Sequence, residues 1–202
     1  MGVLQSIRIV AGGSPVEGDF SHIPLTGIVR EQTDDRGILD LRIANMDVTL
    51  LFSIGSHESG EVEDPKKQKF SVRDVLLHTD DLSAESLVAS AILEPLHPRA
   101  SETWSPTSCF AAALQLGQAL LYELDEVQRS ETNTLWMKRT SIVVTAASPR
   151  FEGPQPLHVR LEDIRRYTKA DGDWRRADVI GLVANMKITC SVTHRLPDRL
   201  NR

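Results

Sequence analysis

The chain repeats itself, and that repetition limits its possible folds more than any other feature. Ser6-Ile7-Arg8-Ile9-Val10-Ala11 reads like Ser141-Ile142-Val143-Val144-Thr145-Ala146. His22-Ile23-Pro24-Leu25 reads like His158-Val159-Arg160-Leu161, and Ile28 and Arg30 then match Ile164 and Arg166. Ala44-Asn45-Met46-Asp47-Val48-Thr49 reads like Ala184-Asn185-Met186-Lys187-Ile188-Thr189. The order is kept and the gaps between matches are similar, which is the mark of an internal duplication. A long apolar stretch precedes the second copy, and none precedes the first. The expected organisation is therefore one complete unit and the trailing part of another. Residues 1–55 are a partial first repeat, 56–69 a linker, and 70–202 a complete repeat.

The 202 residues suffice for one ordinary domain or two small ones, and 41% hydrophobic with 25% charged residues is a globular composition. The formal net charge is -5, and no Lys/Arg stripe stands out in the sequence. Nucleic-acid binding through phosphate neutralisation is therefore not expected. No apolar run approaches the roughly 18 residues of a spanning helix, and the N-terminus does not open a signal peptide. A cytoplasmic protein without membrane contact is expected. Cys109 and Cys190 alone make no disulfide framework or thiolate metal site. Six scattered His residues lack a ligand spacing, so neither metal nor cofactor is expected.

Period-two alternation marks strands in the first segment: Leu39, Leu41 and Ile43, then Val48, Leu50 and Phe52. Gly12-Gly13-Ser14-Pro15 and Asp34-Asp35-Arg36-Gly37 read as turns. Phe70 to Leu77 and Leu87 to Leu93 are further strand candidates, followed by a proline-bearing loop. Ser105 and Pro106 then open the one strong helix, which is expected to run to about Gln128. Cys109, Phe110, Ala111, Ala112, Ala113, Leu114, Leu116, Ala119, Leu120, Leu121 and Leu124 cover most of its circumference, so it should be buried. Thr134 to Ala146, Leu157 to Tyr167 and Ala177 to Thr193 read as three strands after it. The expected fold is α+β and hot-dog-like: an antiparallel sheet wrapped around one central helix, with a partial second repeat. Strands of residues 3–54 should extend that sheet or pair with a partner, because alone they would expose an apolar face.

Leu116-Gly117-Gln118-Ala119-Leu120-Leu121-Tyr122, Asp125, Arg129-Ser130 and above all Asn133-Thr134-Leu135-Trp136-Met137-Lys138-Arg139 resemble the avirulence D (AvrD) family. The resemblance spans about residues 3–195. More distantly the chain is similar to the A-factor synthase family, built from two hot-dog repeats. The first family is linked to syringolides, acyl glycosides carrying a butenolide-like ring. Members of the second condense a β-ketoacyl thioester with a small hydroxylated carbon fragment. The resemblance thus implies an acyltransferase-type condensing enzyme that takes its acyl group from an acyl-carrier protein or CoA thioester. The alternative is a non-catalytic acyl or small-ligand binding protein, or a subunit whose partner chain supplies the first helix. A homo-oligomer or such a heteromer is expected.

Gln115, Gln118 and Tyr122 form one polar stripe on the apolar helix, either lining an acyl pocket or bonding to strand backbone. Ser108 and Cys109 lie in the first helical turn, where free backbone N–H groups favour a thioester oxygen or a phosphate. The same dipole would lower the Cys109 thiol; a buried structural cysteine is the other reading. Glu123 clusters with Asp125 and Glu126 at the helix end, as a base or as solvated charge. His78 beside Thr79-Asp80-Asp81 is a proton-transfer candidate or a strand-ending turn. Asn133, Trp136 and Arg139 follow the helix; Trp136 and Arg139 have opposite parity and would face opposite ways on a regular strand. Arg139 could hold a phosphate or carboxylate by a bidentate pair.

Overall fold

Alternation of apolar and polar side chains builds most of this protein, because a strand with that pattern is stable only when one face is covered. A computed structural model describes residues 2–12, 24–54, 68–78, 87–131 and 135–197. The strands are β1 (Gly2–Ala11), β2 (Leu25–Gln32), β3 (Arg36–Ile43), β4 (Met46–Ile54), β5 (Phe70–His78), β6 (Leu87–Pro95) and β7 (Arg99–Thr103). The helix α1 (Pro106–Leu124) follows, then β8 (Trp136–Val144), β9 (Arg150–Phe151), β10 (Gln155–Lys169), β11 (Gly172–Val183) and β12 (Met186–Arg195). Ten strands form one sheet in the order β2-β3-β4-β1-β8-β12-β11-β10-β6-β5, and β7 pairs with β9 separately. The turn at Gly13-Ser14-Pro15, His22 and Ile23 of the repeat match, and nearly all of the expected linker lie outside the described residues.

The four N-terminal strands join the rest of the large sheet through an antiparallel pairing of β1 with β8, in which Ile7 faces Ile142 and Ser6 and Arg8 face Val143 and Ser141. On one side run β4, β3 and β2; on the other run β12, β11 and β10, followed by β6 and β5. The core lies beneath α1. Leu87, Ala89, Ala91 and Leu93 of β6, Leu157, Val159 and Leu161 of β10, and Ala177 and Val179 of β11 are all buried there. The residues between them point to the opposite face, as strand alternation requires.

Ser105 caps α1 with its hydroxyl, which accepts from the Ser108 N–H at 3.1 Å, and Pro106 sits in the first turn. The helix stops at Leu124, four residues short of the expected Gln128. Glu126 takes a left-handed φ of 49°. Its N–H bonds the Glu123 carbonyl at 3.2 Å, and the Val127 N–H bonds the Tyr122 carbonyl at 3.0 Å. That pair of bonds is the Schellman closure, here without the usual glycine.

Cys109, Ala112, Ala113, Leu116, Gly117, Leu120 and Leu121 face the sheet and are buried. Phe110, Ala111, Leu114 and Ala119, on the outer side, are only half-buried, so the helix is not enclosed on all sides by the described residues. Its close seat depends on Gly117: a Cβ there would come 2.5 Å from Cγ1 of Val179. Trp104 and Phe151 pack edge to face at 4.7 Å below the start of the helix.

One strand assignment is corrected. Ala177 to Thr193 is not a single strand but part of the β11–β12 hairpin, turned at Ala184 and Asn185 with φ of 49° and 59°. Two successive positive φ values suit the twist of a two-residue hairpin turn, usually met by Asn-Gly. With alanine in the first place, the turn carries no glycine signal.

Candidate active site

The helix stripe converges on a buried ion cluster. Gln118 donates its Nε2–H to the Tyr122 hydroxyl at 2.5 Å. The Tyr122 ring packs edge to face on His194 at 6.1 Å. His194 comes from β12, is 0% exposed, and places Nε2 at 3.0 Å from Oδ2 of Asp125. Arg175 of β11 donates from Nε and Nη2 to the other carboxylate oxygen, at 3.0 and 2.6 Å. Gln115, at the upstream end of the stripe, is exposed, as is Glu123.

Asp125 is thus the buried centre of a cluster and not a solvated surface charge. Its partners lie 50 and 69 residues away, so local sequence carries no sign of them. Burial by itself disfavours the carboxylate. The hydrogen bonds from His194 and Arg175 and the Arg175 charge outweigh it, and together they hold the Asp125 carboxyl below its ordinary pKa. An ionised carboxylate only accepts, so His194 must carry its proton on Nε2. Its Nδ1 is buried and has no hydrogen-bond partner among the described residues.

At the other end of the helix, the Ser108 hydroxyl bonds the Ser105 hydroxyl at 2.9 Å, so both polar groups of Ser108 serve the cap. Cys109 is fully buried, and desolvation pushes its thiol up to about 12. Of the two readings of Cys109, the burial favours the structural cysteine over the dipole-lowered thiolate: the penalty of burying a thiolate exceeds the field of the first turn. Cys109 is a protonated core residue at neutral pH.

His78 ends β5, one of the two edge strands of the large sheet; Thr79, Asp80 and Asp81 lie outside the described residues, as does Asn133. No hydrogen bond or ring contact among the described residues joins His78 to the helix stripe.

Trp136 and Arg139 do not face opposite ways. Trp136 pairs with Thr193, Met137 with Val192, and Arg139 with Ser191, so Lys138 is an extra residue in β8. That β-bulge restores Trp136 and Arg139 to one face. Trp136 packs on Trp174 at 5.1 Å. Arg139 opens onto a cleft of about 650 Å³ on the sheet face turned away from α1.

The same architecture occurs in solved structures. The chain is similar to the acyl-CoA thioesterase II TesB2 of Mycobacterium marinum, with 10% identity, coverage of 98% of this chain and 82% of that one, and a TM-score of 0.55. The tesB protein of Mycobacterium avium subs paratuberculosis matches with 10% identity over 97% and 79% of the two chains, at a TM-score of 0.54. A hot-dog protein of unknown function from Alicyclobacillus acidocaldarius matches with 13% identity over 96% and 79%, at a TM-score of 0.48. At such identities the likeness shows the fold, which is of the hot-dog kind. No curated protein sequence matches the chain. Residues 62–197 match the model of the Pseudomonas avirulence D protein (AvrD), and the chain belongs to that family.

Proposed function

We propose that the protein is an acyl-condensing enzyme that joins a β-ketoacyl thioester to a sugar- or polyol-derived acceptor, giving a butenolide or acyl-glycoside product like the syringolides. The observation that carries this reading is the match to the avirulence D family on a fold shared with acyl-CoA thioesterases. An acceptor hydroxyl attacks the thioester carbonyl, the C–O bond forms, the C–S bond breaks, and the thiol leaves with the proton. The hydrogen-bonded pair Gln118–Tyr122 is the group assigned to the carbonyl oxygen, with Gln115 at the open end of the stripe. Glu123, exposed beside Tyr122 in sequence, and His78 are the candidate bases. The donor is an acyl-carrier protein or CoA thioester, and the reading places the protein in the cytoplasm.

The test is to incubate the folded protein with a β-ketoacyl thioester and a panel of sugar- and polyol-derived acceptors, following products by mass spectrometry. An acylated acceptor together with free thiol is expected. Thiol release without an acylated product would replace condensation by hydrolysis.

A specific observation favours a second reading, in which the chain is a subunit completed by a partner. Residues 1–55 are read as a partial repeat of 70–202, with β1, β2, β3 and β4 matching β8, β10, β11 and β12. Each set runs in the same order outward from the β1–β8 pairing, and Arg8 faces Ser141, its equivalent by the registers of β1 on β4 and β8 on β12. On this reading a local two-fold axis through that pair would relate the two halves. Leu157, which pairs with Val183, is 0% exposed under α1, while Leu25, which pairs with Ile43 at the same place in the first set, is 63% exposed. A second helix laid over β1–β4 would cover that face. Light scattering tests this: a stable oligomer of the chain, or a heteromer once the partner chain is added, is expected, and an active monomer overturns it.

A further inference from the structure

We propose that the cleft on the sheet face away from α1 is a binding site for a phosphomonoester, held by Lys138 and Arg139 with Arg165 and Arg176. The inference rests on the acyl-condensing reading for the rest of the ligand, and gives its charged end a place. The cleft, at about 650 Å³, has room for a small metabolite or the end of a prosthetic arm.

Three observations support a built anion site. First, β8 is bulged at Lys138, so that Lys138 and Arg139, neighbours in sequence, both line the cleft instead of alternating across the sheet. Second, β10 is irregular between Glu162 and Arg165, and Asp163 within it has a φ of 51°. This second break in the ladder sets the Asp163 carboxylate against two guanidiniums, at 2.6 Å from Arg165 and 3.3 Å from Arg176. Strained backbone persists where surrounding structure fixes it, and it clusters at sites that need a defined geometry. Third, the charges do not cancel. Asp163 and Asp178, the latter 4.0 Å from Arg176, offset Arg165 and Arg176. Arg166 is spent on Asp173. Lys138 and Arg139 have no hydrogen bond or ion pair among the described residues. Two positive charges thus converge, without counter-charge, on a protein whose net charge is -5. A planar guanidinium beside an ammonium suits a phosphoryl dianion, with the Ser191 hydroxyl as a neutral donor in the same wall.

Two sources share this chemistry: a sugar or polyol phosphate, and the phosphopantetheine arm of an acyl carrier. Titration calorimetry with glycerol 3-phosphate and with 4′-phosphopantetheine, each against its unphosphorylated parent, separates them. Phosphorylated probes are expected to bind and the parents not, with binding weakened by added salt; the tighter probe names the source. The double variant Lys138→Met/Arg139→Met should lose at least about tenfold in affinity with its melting temperature unchanged. Lys187→Met, an exposed cation elsewhere on β12, should bind as the parent does. The proposal is overturned if neither phosphorylated probe binds at millimolar concentration, or if the double variant binds as tightly as the parent. Failure here is distinct from failure of the condensing reading. Undiminished product in the double variant removes the site and leaves the reaction, and phosphate-dependent binding without any acylated product does the reverse.

Discussion

Asp125 holds His194 through a 3.0 Å contact between Oδ2 and Nε2, with side chains only 2% and 0% exposed. A carboxylate in so dry a place is stable only while its partners remain, because removing one member of a buried pair leaves an uncompensated charge. Asp125→Ala should therefore cost about 3–5 kcal/mol, read from urea unfolding curves. A change under about 1 kcal/mol would mean that water already reaches the cluster.

The same carboxylate sets an acid limit on stability. Its pKa is depressed in the fold, so its contribution is complete above the unfolded value of about 3.9 and is lost as pH falls through the folded one. Asp173, lowered by its bonds to Thr168 and Arg166, acts with the same sign. Melting temperature should decline below about pH 5, and Asp125→Asn should flatten that decline. An acid limb unchanged by the substitution would assign it to other groups.

Desolvation keeps Cys109 protonated, and Cys190 is raised for the same first reason. Neither thiol should react with iodoacetamide at pH 8 in the folded protein, and both should react after unfolding in urea. Mass spectrometry reads the difference. Rapid labelling of folded Cys109 would show that the helix start opens.

How far the sequence foretells the molecule depends on the range of each interaction. Alternation along Leu39-Asp40-Leu41 or Val159-Arg160-Leu161 is local, and the strands fall where it places them. Ser105 and Pro106 signal the helix start for the same reason. Three features were illegible because their causes are not local. The β8 bulge is visible only in its register against β12, the hairpin turn lacks glycine, and Asp125 looks like its exposed neighbours Glu123 and Glu126 until β11 and β12 bring Arg175 and His194 to it. The basic cleft is hidden likewise, since its cations come from β8, β10 and β11.

Gly117 allows α1 to lie close on β11. A methyl group added there would meet Val179, which is fully buried and stiff at χ1. Gly117→Ala should destabilise by about 1–3 kcal/mol in spite of alanine's better helix propensity. The double variant Gly117→Ala/Val179→Ala should recover part of that loss, with a coupling of about 0.5 kcal/mol or more in a double-mutant cycle. Strict additivity would put the clash elsewhere.

Tyr122 links the helix stripe to His194, and its hydroxyl accepts from Gln118. Tyr122→Phe keeps the ring on the histidine and removes the hydroxyl alone. Stability should change by no more than about 0.5–1.5 kcal/mol, the worth of one hydrogen bond. If the hydroxyl polarises a thioester carbonyl, product formation should fall by about 10²-fold with KM nearly unchanged. Loss confined to KM would make Tyr122 a binding group.

Leu25 and Leu157 occupy equivalent places in the registers of the proposed repeats, yet one is 63% exposed and the other 0%. In the isolated chain Leu25→Asp should change stability by within about 0.5 kcal/mol, because an exposed side chain has little burial to lose. Leu157→Asp would put an unpaired carboxylate into the core beneath α1 and should abolish folding. The two substitutions then diverge in what they do to assembly. If a second helix covers β1–β4, Leu25→Asp should leave the melting curve of the isolated chain in place and abolish the oligomer or heteromer seen by light scattering. An assembly indifferent to Leu25→Asp would mean that this apolar face is not where the partner sits.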